Sequence, residues 1–201
     1  MRRSAESSDS RSDATQLACE IGMAFLISSR TWCAMLLVSL ASGICRAQTF
    51  NEYQVKAAFL YTFAKFIEWP PQAFAGPSSA ITICILGEDP FGSFLDDAVR
   101  AKSVADRPLI VLRIANLPAA RECKILFIAA SERRRMPALL AAAARTGLLT
   151  VGDTAEFAAQ GGVIALRLDG ERIRLLVNLT SANKAQLRVS SRVLSIATIV
   201  R

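Results

Sequence analysis

Hydrophobic positions recur at helical spacing in one stretch near residue 60. Apolar residues between Tyr53 and Ile67 repeat every three or four positions, which is the period of an amphipathic helix. Trp69-Pro70-Pro71 follows, and a proline cannot continue a helix. The pattern therefore predicts an amphipathic helix that ends before Trp69.

Four short apolar runs follow this helix. They have the length of buried strands, and segments of helical or turn character separate them. Continuous apolar strands that alternate with helices are typical of a parallel sheet covered on both faces. The strand runs are 81–86, 109–114, 125–129 and 148–151, and the segments between or after them are 91–100, 117–121, 137–145 and 154–159.

The pattern changes after residue 160. Apolar runs over 163–168 and 172–179 flank Asp169-Gly170, a dipeptide that favours the tight turn of an antiparallel hairpin. Residues 181–187 and 192–199 predict a final helical stretch. The expected fold is a single α/β domain with a mixed, mostly parallel sheet, helices on both faces and a C-terminal β-hairpin.

The first 47 residues have the organisation of an export signal. Arg30 precedes an apolar run over 32–44 that is too short to span a bilayer comfortably, and small residues precede Gln48, where a signal peptidase would cleave. We therefore expect a signal peptide over 1–47, a mature domain over 48–201 and a periplasmic location.

Two alternatives concern this segment. Met23 is a second candidate start, in which case residues 1–22 are not translated. An uncleaved membrane anchor is the competing interpretation, and it is disfavoured because Ser28-Ser29-Arg30 separates the two apolar runs.

Cysteine usage changes once the signal is removed. Three of the five cysteines lie within residues 1–47, so the mature domain keeps only Cys84 and Cys123. These two have one intramolecular pairing, and an oxidising compartment favours a structural disulfide that is shielded and slow to reduce. Two buried free thiols remain the alternative.

The composition argues against most catalytic chemistry. The chain contains no histidine, which removes the serine and cysteine triads and the commonest metal ligand. Its cysteines are too widely spaced for a redox pair or a zinc site, and no phosphate-binding glycine motif is present. A net charge of +7 is spread over scattered basic residues, which disfavours nucleic-acid binding. We therefore predict no catalytic residue, metal or cofactor.

An ordered set of motifs carries a resemblance that composition alone does not supply. The set, which spans nearly the whole mature chain, resembles the YfiR-like family of periplasmic proteins. It opens with VKAAFLYTFAKFIEWP at 55–70 and continues through 81–87, 107–109, 123–128, 149–153, 161–164, 177–179 and 190–194.

The resemblance implies a regulator. The best-known member of the family is a periplasmic repressor that contacts the periplasmic portion of a membrane-bound diguanylate cyclase and is itself sequestered by an outer-membrane lipoprotein. Members form homodimers with redox-sensitive disulfides, and the resemblance implies that the two motifs containing Cys84 and Cys123 are bridged. A second, shorter-range disulfide has no counterpart here. The family also tends to carry an aromatic and an acidic residue where Leu175 and Leu176 stand, in the segment that includes Arg174.

Three groups of side chains are candidate binding residues. Lys65, Glu68 and Trp69 lie at the predicted end of the helix, where an exposed aromatic flanked by charges would anchor a partner or a small ligand; a core-facing Trp69 is the alternative. Arg133 and Arg134 follow a strand and would bind an anion or an acidic patch, unless they are only solvated. Arg174 belongs to the variable segment.

Asn178 has two open roles, in a ligand pocket or in binding neighbouring backbone. The leading hypothesis for the whole chain is a periplasmic regulatory binding protein that negatively controls an inner-membrane diguanylate cyclase, or a sensor kinase, and so affects cyclic-di-GMP signalling. The alternative is a periplasmic small-molecule sensor or carrier domain that works with a sensor kinase or transporter.

Overall fold

The computed structural model describes residues 51–145, 147–154 and 156–200. The export signal predicted over 1–47 lies outside these residues. Within the described part of the chain, every helix is too short or too polar to cross a membrane.

The elements alternate between strands and helices, as the hydrophobic pattern predicts. Three 3₁₀ helices, Pro71–Ala73, Leu117–Glu122 and Ala130–Arg135, lie among them. In chain order the elements are α1 (Glu52–Phe66), β1 (Ile67–Glu68), β2 (Ile81–Leu86), α2 (Ser93–Val99), β3 (Ser103–Val104), β4 (Arg107–Ile114), β5 (Cys123–Ile128), α3 (Met136–Ala143), β6 (Leu149–Gly152), β7 (Ile164–Asp169), β8 (Arg172–Asn178), α4 (Leu179–Lys184), β9 (Arg188–Val189), α5 (Ser191–Leu194) and β10 (Ala197–Val200).

Helix α1 begins and ends where its sequence requires. The Asn51 side chain accepts a hydrogen bond from the backbone N–H of Gln54, which caps the first turn. Leu60, Phe63 and Ala64 are buried on one face of the helix, at spacings of three and four residues. The chain becomes extended at Ile67, before the two prolines.

Eight strands form a mixed sheet in the order β10-β8-β7-β6-β5-β2-β4-β3. The central strands β7, β6, β5, β2 and β4 are parallel, and β8 and β3 pair antiparallel with their neighbours β7 and β4. A separate two-stranded antiparallel sheet joins β1 to β9. The predicted α/β fold with a mostly parallel sheet is confirmed.

Helices cover both faces of this sheet. The larger buried cluster lies on one face and includes residues of α1, α2, α4 and α5 together with Ile83 and Ile85 of β2. The smaller cluster lies on the opposite face, where α3 and the 3₁₀ helix Leu117–Glu122 pack against Cys84 and Leu86. Alternate residues of β2 therefore belong to opposite layers, as strand geometry requires.

The carboxyl-terminal part of the chain differs from the prediction. The hairpin is present, with Gly170 at its tip in the left-handed region (φ 61°). The helix predicted over 192–199 is wrong in its second half, because residues 197–200 form β10, which pairs parallel with β8. The hairpin is thus followed by one more strand and does not end the sheet.

Cys84 and Cys123 lie at disulfide distance, with 5.8 Å between their Cα atoms. Cys123 begins β5, whereas Cys84 is in the middle of β2, and these two strands are neighbours in the sheet. Both cysteines are almost fully buried. The pairing expected from the sequence is consistent with this geometry.

Candidate functional site

An open cleft of about 510 Å³ lies at the end of α1. One wall is Glu68-Trp69-Pro70-Pro71, and the other consists of residues at the end of α4 and just after it, including Gln186 and Arg188. The antiparallel pairing of β1 with β9 brings the walls together, with Glu68 opposite Arg188. We call this space the Trp69 cleft.

Trp69 is half-buried in this cleft and has an unsatisfied donor. Its ring lies edge-on to Phe74, with 6.2 Å between ring centroids. The indole Nε1 is buried and has no hydrogen-bond partner among the described residues. A buried N–H without an acceptor is costly, so the indole lacks the hydrogen bond that a buried tryptophan usually makes.

Two further contacts hold the Trp69 wall. The guanidinium of Arg107 lies 3.8 Å from the centroid of the Phe74 ring and donates to the carbonyl oxygens of Gly76 and Ser79. The side-chain amide of Gln72 donates to that of Gln186, at 3.0 Å, and so connects the two walls. Arg107 begins β4, so this loop is attached directly to the sheet.

The opposite wall is positioned by the cap of α4. The Asn178 side chain accepts from the backbone N–H of Ser181 and donates to the carbonyl oxygen of Ala158 at 2.8 Å. Asn178 is buried, and backbone groups use both ends of its amide. Of its two open roles, the backbone contact is therefore the one that the geometry supports.

Within this wall, Gln186 adopts a strained backbone conformation. Its φ is 56°, in the left-handed region that non-glycine residues rarely adopt. The backbone N–H of Gln186 donates to the carbonyl oxygen of Asn183, and the N–H of Leu187 donates to that of Ala182. These two bonds are the pattern of a Schellman cap. The cap turns the chain sharply from α4 into β9 and exposes Gln186 beside Trp69.

The remaining predicted site residues lie elsewhere. Lys65 is exposed on α1, with its Nζ 5.5 Å from the Tyr61 ring, and it does not line the Trp69 cleft. Arg133 and Arg134 are exposed on the 3₁₀ helix after β5, and Arg133 lies 3.8 Å from Glu156. Arg174 pairs with Asp169 near the hairpin tip. The structure thus brings Glu68 and Trp69 together and leaves the other predicted residues at separate places.

A buried ionic network, which sequence reasoning missed, lies at the start of α1. Lys56 is 1% exposed, and its Nζ pairs with Glu52 and, at 3.2 Å, with Asp153 after β6. The hydroxyl of Tyr53 donates to the same Asp153 oxygen at 3.0 Å. Burial and the Asp153 charge raise the pKa of Tyr53 well above its ordinary value.

A small crevice of about 230 Å³ adjoins this network. It lies at the carboxyl ends of β2 and β5, whose onward connections run in opposite directions, the usual ligand position in an open α/β sheet. However, the two loops interlock: a Cβ on Gly87 would lie 2.6 Å from the Ser131 hydroxyl oxygen. The crevice is smaller than usual ligand pockets of about 300–1,000 Å³, so the Trp69 cleft is the better candidate.

The family assignment follows from the sequence match. The DUF4154 family, described as YfiR/HmsC-like, matches residues 53–198. This range includes all of α1 except its first residue, both walls of the Trp69 cleft and most of the sheet. The chain therefore belongs to the YfiR/HmsC-like family.

Other comparisons add little to this assignment. A crystal structure of a conserved domain protein from Vibrio cholerae O1 biovar eltor matches with a TM-score of 0.47 and 11% identity, over 60% of this chain and 54% of that one. The chain thus spans about half the length of that protein. No curated protein matches the sequence.

Proposed function

We propose that this chain is a periplasmic regulatory binding protein that negatively controls a membrane-bound diguanylate cyclase by protein–protein contact. Membership of the YfiR/HmsC-like family over residues 53–198 is the observation that carries the proposal. The family is generally regulatory rather than catalytic and implies partnership with a diguanylate cyclase. The chain acts as a homodimer, an outer-membrane lipoprotein can sequester it, and a sensor kinase is the alternative membrane partner.

The Trp69 cleft is the contact site in this proposal. It combines a half-buried aromatic ring with one charge of each sign, Glu68 and Arg188. Aromatic residues with a polar edge are enriched among the residues that dominate binding energy in interfaces. Lys65 extends the same end of α1 with an exposed cation.

Leu175 and Leu176, where this chain differs from the family's usual aromatic and acidic residues, are packed in the interior more than they are exposed on the surface. Leu175 is buried against the larger cluster, and Leu176 packs partly buried against the smaller one. Both are central residues of β8, between β7 and β10. A difference in partner specificity from this segment would therefore act through the neighbouring exposed Arg174.

Affinity co-purification from membranes tests the proposal. Tagged protein should recover a diguanylate cyclase from detergent-solubilised membranes, and Trp69→Ala should reduce the recovery about tenfold or more. Lys184→Gln, an exposed cation outside the Trp69 cleft, is the matched surface control. Equal recovery with Trp69→Ala would reject the contact site, and failure to recover a cyclase or sensor kinase would reject the partner.

A small-molecule sensor or carrier is the second candidate. The volume of the Trp69 cleft, about 510 Å³, favours it, because pockets for small ligands fall in this range. A ligand-induced rise in Tm that Trp69→Ala abolishes, without recovery of any membrane protein, would favour this function over the first.

A further inference from the structure

A groove on the opposite face of the sheet is not used by the function proposed above. It lies between the 3₁₀ helix Leu117–Glu122 and α3 and has a volume of about 580 Å³. Its floor is apolar, with Leu117, Ala120, Leu139 and Ala142 among the lining residues. Ala138, Ala142 and Ala143 of α3 line it, and their small side chains leave space that larger side chains would fill.

Every charged residue that lines this groove is an arginine. The three are Arg121, Arg135 and Arg145. Arg135 pairs with Glu132 at 3.2 Å, but neither Arg121 nor Arg145 has a carboxylate oxygen within 4.0 Å among the described residues. The groove therefore combines an apolar floor with uncompensated positive charge.

Arg145 is held by backbone carbonyl groups and has no carboxylate partner among the described residues. It is half-buried, and its guanidinium donates to the carbonyl oxygens of Ala120 and Arg121. Burial lowers the pKa of Arg145. Burial and, to a lesser extent, the charge of Arg145 lower the pKa of Lys124, whose ammonium lies outside the groove near the Phe74 ring and is also influenced by Glu122. A bound anion would compensate the partly desolvated charge of Arg145.

We propose that this groove binds a single-chain amphiphile with an anionic head, a carboxylate or a phosphate. Arg121 and Arg145 hold the head, because a guanidinium presents paired N–H donors that match either group. The apolar chain lies along Ala138 and Ala142 of α3. The volume is in the range of small-ligand pockets.

The position of the groove connects this site to the paired cysteines. Ala120, Leu139 and Ala143 line the groove and belong to the same buried cluster as Cys84 and Cys123. The floor is therefore part of the layer that the disulfide stabilises. This site goes beyond the proposed control of a cyclase and does not depend on it.

Isothermal titration of the purified protein with three matched probes tests the proposal. Octanoate carries both head and chain, acetate carries the head alone, and 1-octanol carries the chain alone. We expect octanoate to bind about tenfold or more tightly than either partial probe, since charge-assisted and apolar contacts add. Acetate binding as tightly as octanoate would reduce the site to a simple anion site and overturn the proposal.

Substitutions locate the binding. Arg121→Gln and Arg145→Gln should each weaken octanoate binding about tenfold and leave 1-octanol binding unchanged. Arg121 is exposed, so its variant tests the head contact even if the Arg145 variant unfolds. Arg172→Gln, at an exposed arginine of the hairpin, is the charge control and should have no effect. Unchanged octanoate binding by Arg121→Gln would contradict the assignment.

A matched pair of substitutions on α3 tests where the alkyl chain of the amphiphile lies. Ala142→Leu fills the groove and should weaken octanoate binding, whereas Ala141→Leu faces a different cleft and should not. Equal effects of the two variants would overturn the placement. A separate titration with phosphatidylglycerol vesicles distinguishes a free amphiphile from a bilayer surface. Vesicle binding without binding of monomeric octanoate would overturn the single-molecule groove.

Discussion

The two faces of the sheet are stabilised in different ways. The face that carries α1 has the larger apolar cluster, with Phe63, Phe91 and Phe127 among its fully buried residues. At its margin it also buries the charge of Lys56. The opposite face has the smaller cluster, covered by the alanine-rich α3, and the Cys84–Cys123 pair lies within it.

This difference shows where each kind of constraint is needed. The larger apolar cluster supplies enough hydrophobic stabilisation to tolerate a buried ionic network. The smaller cluster, on the other face, supplies less, and a disulfide that restricts the unfolded chain offsets the deficit. Substitutions on the two faces should therefore act through different mechanisms.

The largest effect is expected on the α1 face. Lys56→Met removes the cation that pairs with buried Asp153 and should lower the free energy of unfolding by about 3–5 kcal/mol. Urea unfolding followed by circular dichroism measures the change. Lys65→Met, at an exposed lysine of the same helix, should stay within about 0.5 kcal/mol. Similar losses for the two variants would refute a structural role for the network.

The next largest effect is expected on the disulfide face. Cys84→Ser combined with Cys123→Ser should cost about 2–5 kcal/mol, from lost loop restriction and two buried hydroxyls. The alanine pair separates these causes, since it removes the bond without adding polar groups. When the native wild-type protein is alkylated without reduction, mass spectrometry should find neither cysteine alkylated, because both sulfurs are in the disulfide. Two freely alkylated cysteines would contradict the bridge.

A smaller effect on the same face tests how tightly it packs. The buried ring of Phe157 lies directly against Gly162, so an added Cβ would overlap the ring. Gly162→Ala should therefore lower the free energy of unfolding by about 1–3 kcal/mol through overpacking. At Gly76 a Cβ would meet its nearest atom at 3.8 Å, and Gly76→Ala should change stability little. Equal tolerance at the two positions would mean that Phe157 moves freely.

The smallest effect concerns alkaline pH and Tyr53. Because folding raises the pKa of Tyr53, the folded state retains its phenolic proton longer than the unfolded state, and stability should fall as pH rises above the ordinary value of 10.0. Absorbance of tyrosinate should therefore show a delayed ionisation in the native protein. Tyr53→Phe should remove that delayed step, and Tyr61→Phe should retain it. A delayed step that survives Tyr53→Phe would assign it to another group.

The hydrophobic pattern of each segment was sufficient to predict most of the helices and strands. Strand β2 has the bounds that its apolar run predicts, and α1 differs from the predicted helix by one turn or less. Both elements bury residues at the period of their own geometry, which sequence displays directly. Strand β10 was missed because a four-residue run after a short helix continues a helical pattern, and only its pairing with β8 identifies it.

The candidate site was less predictable, because it depends on contacts between distant segments. Trp69 was identified from an aromatic residue beside charges, but its partner wall with Gln186 and Arg188 required the pairing of β1 with β9. The sequence around Lys56 gave no sign that it is buried. Lysine is almost never fully buried unless it is paired, and its partner is distant in sequence. Its partner Asp153 lies 97 residues away. Asn178 has a role in capping that sequence left open.

Cyclic-di-GMP measured in cells tests the proposed regulatory role most directly. A strain that lacks this protein should contain more cyclic-di-GMP than its parent, because an unrestrained cyclase makes more product. The wild-type gene and the Lys184→Gln variant should restore the low level, and Trp69→Ala should fail to do so while accumulating to the same amount in the periplasm. An unchanged cyclic-di-GMP level in the deletion strain, with the cyclase present and active, would contradict the proposed function.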